Sequence, residues 1–182
     1  MPSHDVKAGP LRVLVAYATK AGSTAEIAGK VGEVLRNEGL LTDLVPVAEV
    51  ADLAPYQAVV LGSAVYAGRW RREAAVFLER NETALSKREV WLFSSGPTGE
   101  GDPVGLMKGW RFPAELQAVA DRIKVRDIAL LHGKLDPAKL NILERMMIKA
   151  VKAPVGDYRD WEAILSWARG IAKTLSGNRS EQ

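Results

Sequence analysis

The apolar residues of this chain fall into two rhythms that alternate from one end to the other. Continuous β-rich runs occur at 11–17 (LRVLVAY), 57–64 (QAVVLGSA), 90–95 (VWLFSS) and 125–131, with a shorter one at 41–47. Runs that are apolar at nearly every position suit strands covered on both faces of a parallel sheet. Between them the period changes to that of a helix. Ile27, Val31, Val34 and Leu35 share one side up to a stop at Gly39, Ala74, Phe77 and Leu78 do so within 71–84, and Leu116, Val119, Ala120 and Ile123 follow Pro113. Residues 48–55 fit one helical turn. Asp136 and Pro137 read as cap and first position of a helix over 137–153 that ends before Pro154. A last helix starts near Asp160 and carries Trp161, Ile164, Leu165, Ala168, Ile171, Ala172 and Leu175 as an inward stripe.

Strands alternating with helices predict an α/β fold, a three-layer sandwich around a five-stranded parallel sheet with right-handed crossovers. The strand order expected for five strands is 2-1-3-4-5, with ligands at the carboxyl ends of the strands near the switch between the first and third. No repeat or change of composition marks a boundary, so one domain over 11–175 is expected, after a disordered polar leader at 1–10 and before a polar tail at 176–182.

Composition narrows the chemistry. The chain has no cysteine, which excludes disulfides, thiolate metal sites and cysteine nucleophiles. Its two histidines are His4 in the leader and His132 near a strand end, where a solvated loop residue is expected, so a histidine metal site or a Ser-His-Asp triad is not supported. The leader lacks an apolar core segment and no run approaches the roughly 20 residues of a membrane helix, so the expectation is a cytoplasmic protein. The net charge of +3 comes from 25 basic and 22 acidic residues spread along the helices, which predicts no nucleic-acid partner.

Candidate chemistry lies in three loops. The first strand runs through Thr19, Lys20, Ala21, Gly22, Ser23 and Thr24 straight into a helix, and Ser23 stands at capping-box spacing from Glu26. A helix start with hydroxyls beside it can hold a phosphate group. Gly22 is the lone glycine there, so neither the P-loop nor the dinucleotide fingerprint is present. The loop after the third strand supplies Ala64, Val65, Tyr66, Ala67 and Gly68, and that after the fourth supplies Ser94, Ser95, Gly96, Pro97, Thr98 and Gly99. Glycine and serine also mark ordinary turns. Their concentration in three loops that open at one sheet edge favours a ligand approached closely by backbone.

The segment Thr19 to Thr24 resembles the T-x-T-G-x-T loop with which flavodoxins hold the phosphate of FMN, with Ala21 in place of a threonine. Together with VVLGSAVYAGRW, FSSGPTG and the terminal GDYRDWEAILSWARGIAKTL, the chain from 11 to 175 is similar to the flavodoxin-domain family that includes the menaquinone-dependent protoporphyrinogen oxidases. The DWE at 160–162 is more characteristic of that family than of electron-carrier flavodoxins. The resemblance implies a flavodoxin-like fold, noncovalent FMN and, in the family's best-known branch, oxidation of protoporphyrinogen IX with a quinone as acceptor.

On this reading the first loop takes the phosphate, while backbone groups of Ser94, Ser95, Gly96 and Thr98 meet the ring or ribityl chain. Val65, Tyr66 or Trp70 would cover a ring face. Tyr66 is preferred, since it sits mid-loop at the switch point, with packing under the next helix as the alternative for Tyr66 and especially for Trp70, and Trp91 reads as core. In the long segment 96–113, Lys108 and Arg111 suit propionate carboxylates and Trp110 a pyrrolic macrocycle, or the segment is a solvated loop with one buried tryptophan. Lys20, Arg69, Arg71, Arg72, Lys108 and Arg111 outnumber Glu100 and Asp102 around the site. Positive charge stabilises a two-electron reduced anion, which favours an oxidoreductase; a flavodoxin-type electron carrier or flavin-binding module is the alternative. In 137–153, Leu140, Leu143, Met146, Met147 and Val151 form an apolar side beside Lys139, Arg145, Lys149 and Lys152. Covering a sheet face is the expected use, and peripheral contact with the inner face of the cell membrane the alternative.

Overall fold

A computed structural model describes residues 9–180. Residues 1–8 of the expected leader, His4 among them, lie outside the described residues. The chain runs β1 (Arg12–Ala18), α1 (Ser23–Asn37), β2 (Leu41–Pro46), a 3-10 turn at Val47–Glu49, β3 (Ala58–Tyr66), β4 (Arg69–Trp70), α2 (Arg72–Arg80), α3 (Glu82–Leu85) and β5 (Glu89–Ser95). It continues with α4 (Pro103–Leu106), α5 (Ala114–Ile123), β6 (Asp127–Leu131), β7 (Lys134–Leu135), a 3-10 turn at Pro137–Lys139, α6 (Ile142–Ala150), β8 (Gly156–Asp157) and α7 (Trp161–Ser180).

The five long strands are parallel and ordered β2-β1-β3-β5-β6, the predicted 2-1-3-4-5 arrangement. The short β4 folds back antiparallel on β3, and β7 pairs with β8 apart from the main sheet. Alternation along each strand explains the unbroken apolar runs. Val13 and Val15 face a layer made by α1 and α7, with Ile27, Val31, Leu35, Ile164, Ala168, Ile171 and Leu175. Leu14 and Ala16 face the opposite layer with Leu61, Ala74, Leu78, Leu92, Leu116 and Ile123. Each fully buried aliphatic side chain stabilises the fold by about 1.5–3 kcal/mol, and these two layers contain most of the core. At the sheet centre Gly62 stands beside Phe93 in register, and a Cβ on Gly62 would fall inside the Phe93 ring.

Four differences from the sequence reading have local causes. The helix expected over 71–84 breaks at Asn81, whose amide donates to the Phe77 carbonyl at 2.9 Å while its backbone leaves the helical region. Asp136 caps only the 3-10 turn, because Leu140 is extended (φ −110, ψ 146). Asn141 then starts α6 with a full capping box to Glu144. Helix α7 runs on to Ser180, through most of the segment expected as a tail. Trp161 leaves the predicted stripe and is 36% exposed, stacked under the Arg159 guanidinium at 4.6 Å.

Helix α6 is also a surprise in destination. Both sheet faces are already covered, by α1 and α7 on one side and by α2, α3 and α5 on the other. No face remains for it. Ile142, Leu143, Met146, Met147 and Val151 are therefore exposed. No helix among the described residues is long and apolar enough to cross a membrane.

Candidate functional site

The carboxyl ends of β1, β3, β5 and β6 meet at one rim, and each contributes a loop to a single cavity of about 360 Å³. After β1 the Thr19 hydroxyl accepts the Gly22 N–H at 3.0 Å, and Gly22, at φ 91, makes the turn into α1. As N-cap it brings no side chain, so the first-turn N–H groups of α1 meet no side-chain acceptor from their own cap. Ser23 does not form the predicted capping box. It is already the first helical residue, its hydroxyl accepts the Lys134 N–H at 3.2 Å, and Glu26 turns instead to Arg159. Thr19, Ala21, Ser23 and Thr24 line the cavity, while Lys20 reaches across its mouth to pair with Glu144.

The second loop is the tip of the β3–β4 hairpin, where Ala67 (φ 49) and Gly68 (φ 71) both take the left-handed conformation that a two-residue hairpin turn demands. Ala64, Val65, Tyr66 and Ala67 line the cavity, and Gly68 sits at the turn behind them. Tyr66 is 40% exposed, with the Lys20 ammonium 5.5 Å from its ring centre. Partial burial lifts its phenol above the usual range, opposed by the charge of Arg71, so it is neutral across ordinary pH. Trp70 points the other way. It is buried, its indole N–H donates to the Ser94 hydroxyl at 2.8 Å, and its ring meets Phe112 edge-on at 5.0 Å. It covers no ligand face.

After β5, Ser95, Gly96 and Thr98 face the cavity, with Ser94 buried beneath. Gly96 packs so closely that a Cβ there would stand 3.0 Å from Val65 Cβ, and one on Gly133 would stand 3.1 Å from the Gly96 carbonyl oxygen. Pro97 turns its carbonyl away to accept the Gly133 N–H at 3.0 Å, and Gly99 lies against Leu106 and Pro154. His132 is not the solvated loop residue expected. It is buried, with Nδ1 3.1 Å from the Pro97 carbonyl oxygen and Nε2 2.8 Å from that of Gly101, and it pins the start of the long loop. The rest of that loop lies elsewhere: Lys108, Trp110 and Arg111 are not among the residues lining the cavity.

The fourth wall was not assigned to the site from the sequence. Gly133, Lys134 and Leu135 follow β6, and Leu140, Glu144, Met147, Ile148, Val151 and Ala153 come from the α6 segment. The available signal was the apolar stripe of 137–153 itself, formed by Leu140, Leu143, Met146, Met147 and Val151. Among the described residues no cluster of three acidic or histidine side chains is placed to hold a metal.

A model of the family described as "Flavodoxin domain" matches residues 14–161. The chain belongs to the flavodoxin-domain family. A relative from Escherichia coli, protoporphyrinogen IX dehydrogenase (quinone), is 23% identical over 177 residues, covering 89% of this flavodoxin domain chain and 95% of the relative. Among solved structures, a flavodoxin from the domain Archaea superposes with a TM-score of 0.60 at 11% identity, covering 91% of this chain and 99% of that one. A short-chain flavodoxin associated with a bacterial microcompartment gives 0.59 at 16% identity, covering 90% and 98%. These two show the shared fold.

Flavodoxin domains bind FMN, and this cavity fits that group. The α1 start offers open N–H donors and hydroxyls where a phosphate monoester needs them. The glycines at 96 and 133 let the loops after β3, β5 and β6 pack directly on one another at the rim of the cavity. Bound FMN supplies electron-transfer chemistry that no side chain of this chain provides.

Proposed function

We propose that this flavodoxin domain is an FMN-dependent oxidoreductase that oxidises a substrate of the protoporphyrinogen class and delivers the electrons to a quinone. Thr19, Lys20, Ala21, Gly22, Ser23 and Thr24 receive the cofactor's phosphate. Ala64, Val65, Tyr66, Ala67 and Gly68 flank its ring, with Tyr66 against one face. The segment Ser94, Ser95, Gly96, Pro97, Thr98 and Gly99 meets the ring edge. The observation that carries the proposal is the wall facing these loops: Leu140, Met147, Ile148, Val151 and Ala153 add an apolar surface to the rim. A carrier that only exchanges electrons needs an accessible ring edge; an apolar wall excludes water and suits a flat, oily substrate or acceptor. The length-matched E. coli relative, whose name joins protoporphyrinogen to a quinone, supports the same chemistry. Lys134 at the rim favours negative charge on the reduced cofactor, whereas the charge of Lys20 is balanced by Glu144.

The test is anaerobic mixing of FMN-loaded protein with protoporphyrinogen IX and menadione. Porphyrin fluorescence should grow only when protein and acceptor are both present. Flavin that is reduced by neither protoporphyrinogen nor NAD(P)H would leave the electron-carrier reading in its place.

The exposed side of α6 supports a peripheral membrane contact as part of this proposal. Ile142, Leu143 and Met146 are 79%, 66% and 64% exposed, and the cations Arg145, Lys149 and Lys152 lie on the same helix and its end. Apolar residues flanked by cations fit an anionic lipid surface, where each cation contributes about 1 kcal/mol and a quinone dissolves. Co-sedimentation with anionic vesicles should fall sharply in the double variant Lys149→Glu, Lys152→Glu. Unchanged co-sedimentation would remove the membrane contact.

A further inference from the structure

Two side chains from the segment between β6 and β8 stand at the turn that opens α1, outside the three loops that make the flavodoxin rim: Glu144 lines the cavity, and Lys139 borders the turn next to it without lining the cavity itself. The Lys139 ammonium donates to the Ala21 carbonyl at 3.0 Å and stands 3.8 Å from where a Cβ on Gly22 would be. It therefore crowns the turn that opens α1. Among the described residues it has no carboxylate partner within ion-pair distance, so its charge is uncommitted. Glu144 is the opposite case. Its carboxylate lines the cavity together with Thr19, Ala21, Ser23 and Thr24, accepts the Asn141 N–H at 3.0 Å, and holds the Lys20 ammonium. The carboxylate thus occupies the same end of the cavity as the helix start, where a phosphate dianion would be repelled by it.

We propose that Lys139 is a direct ligand of the cofactor's phosphate and that Glu144 is the carboxylate which that phosphate displaces from Lys20. The inference rests on the FMN reading above and deepens it. A phosphate at the α1 start gains the Lys139 ammonium as a charge-assisted partner. It also competes with Glu144 for Lys20, one anion replacing another on the same cation. A bound phosphate would then release Glu144 of α6 from Lys20, while the Lys139 contact to the first loop, already made through Ala21, is kept. The two residues pull phosphate affinity in opposite directions, which a structural role for either would not do.

FMN and riboflavin separate these effects, since they differ only in the phosphate. Quenching of flavin fluorescence gives the Kd of each with the full chain. Lys139→Met should weaken FMN about ten-fold, the ratio expected for one charge-assisted hydrogen bond, and leave riboflavin unchanged. Glu144→Gln retains the cap acceptor and should tighten FMN by about three-fold or more, again with riboflavin unchanged. Thermal melts of the two variants without flavin should match the parent. If the FMN-to-riboflavin ratio of Kd values stays constant in both variants while the parent binds FMN, the phosphate role is wrong and the flavin site stands. A parent protein that binds neither flavin overturns both.

Discussion

Replacing Gly62 by alanine would drive a methyl group into the centre of the sheet, 1.9, 2.1 and 2.5 Å from Cζ, Cε1 and Cε2 of Phe93. Carbon atoms in contact settle at about 3.5–4.0 Å, so the ring has to retreat by roughly 1.5 Å. It has little room to do so. Phe93 is fully buried, with Trp167 edge-on at 5.8 Å, in a layer already filled by α1 and α7. Overpacking costs about 1–3 kcal/mol, and full expulsion of a buried phenyl about 3–5 kcal/mol. A loss of about 3 kcal/mol is expected, a large share of the roughly 5–15 kcal/mol that holds a domain together. Equilibrium urea unfolding of flavin-free protein reads it. With a slope near 2 kcal/mol per molar, the midpoint should fall by about 1.5 M at constant slope. Phe93→Leu deletes the very atoms that collide. On that background Gly62→Ala should cost less than about 0.5 kcal/mol, giving a coupling of about 2 kcal/mol or more. An unchanged midpoint in Gly62→Ala, or an equal penalty in both backgrounds, refutes the packing argument. Because Gly62 lies two residues before Ala64 at the cavity, FMN affinity should fall with stability.

Other expectations concern the loops and pH. His132→Phe removes both ring nitrogens that face the Pro97 and Gly101 carbonyls. Thermal and urea unfolding should show a loss of about 2 kcal/mol, and FMN and riboflavin should weaken together, because this loop meets the ring and not the phosphate. The Arg159 guanidinium, mainly by hydrogen bonding, holds the Asp157 carboxyl below its usual range. A depressed carboxylate contributes stability that is complete above its unfolded value, about 3.9, and is lost as pH falls through the lower folded value. Urea midpoints should therefore drop below about pH 4, modestly because the Asp157 side chain is 40% exposed, and the drop should flatten in Arg159→Gln.

The sheet order was legible because the central strands announced themselves: in β1, with Val13 and Val15 facing one layer and Leu14 and Ala16 the other, no polar position interrupts the run, whereas β2 at the sheet edge carries Thr42 and Asp43. The three rim loops were picked out by their glycine, serine and threonine content together with the strand topology. What stayed hidden depended on partners distant in the chain. Ser23 and Glu26 have capping-box spacing, yet Lys134 claims the serine hydroxyl and Arg159 the glutamate. Trp70 was ambiguous from sequence, and its turn inward is decided by Ser94 and Phe112. Lys108, Trp110 and Arg111 had suitable chemistry in a loop of suitable length, but only the first residues of that loop reach the cavity. The stripe on α6 was visible as a pattern. Its use was not, because amphipathicity states that a helix has an apolar side and not what that side meets.

The cavity joins residues near the start of the chain to residues near its end: the Ser23–Lys134 hydrogen bond spans 111 positions and the Lys139–Ala21 bond 118. During synthesis the first loop leaves the ribosome long before the segment that closes the other side. A nascent chain released short of residue 153 lacks part of a wall, so flavin capture should register only when the carboxyl-terminal third has emerged and settled. The yellow colour of the protein would then serve as a timer for completed folding, with the cofactor acting as the last piece admitted instead of the seed around which the rest condenses.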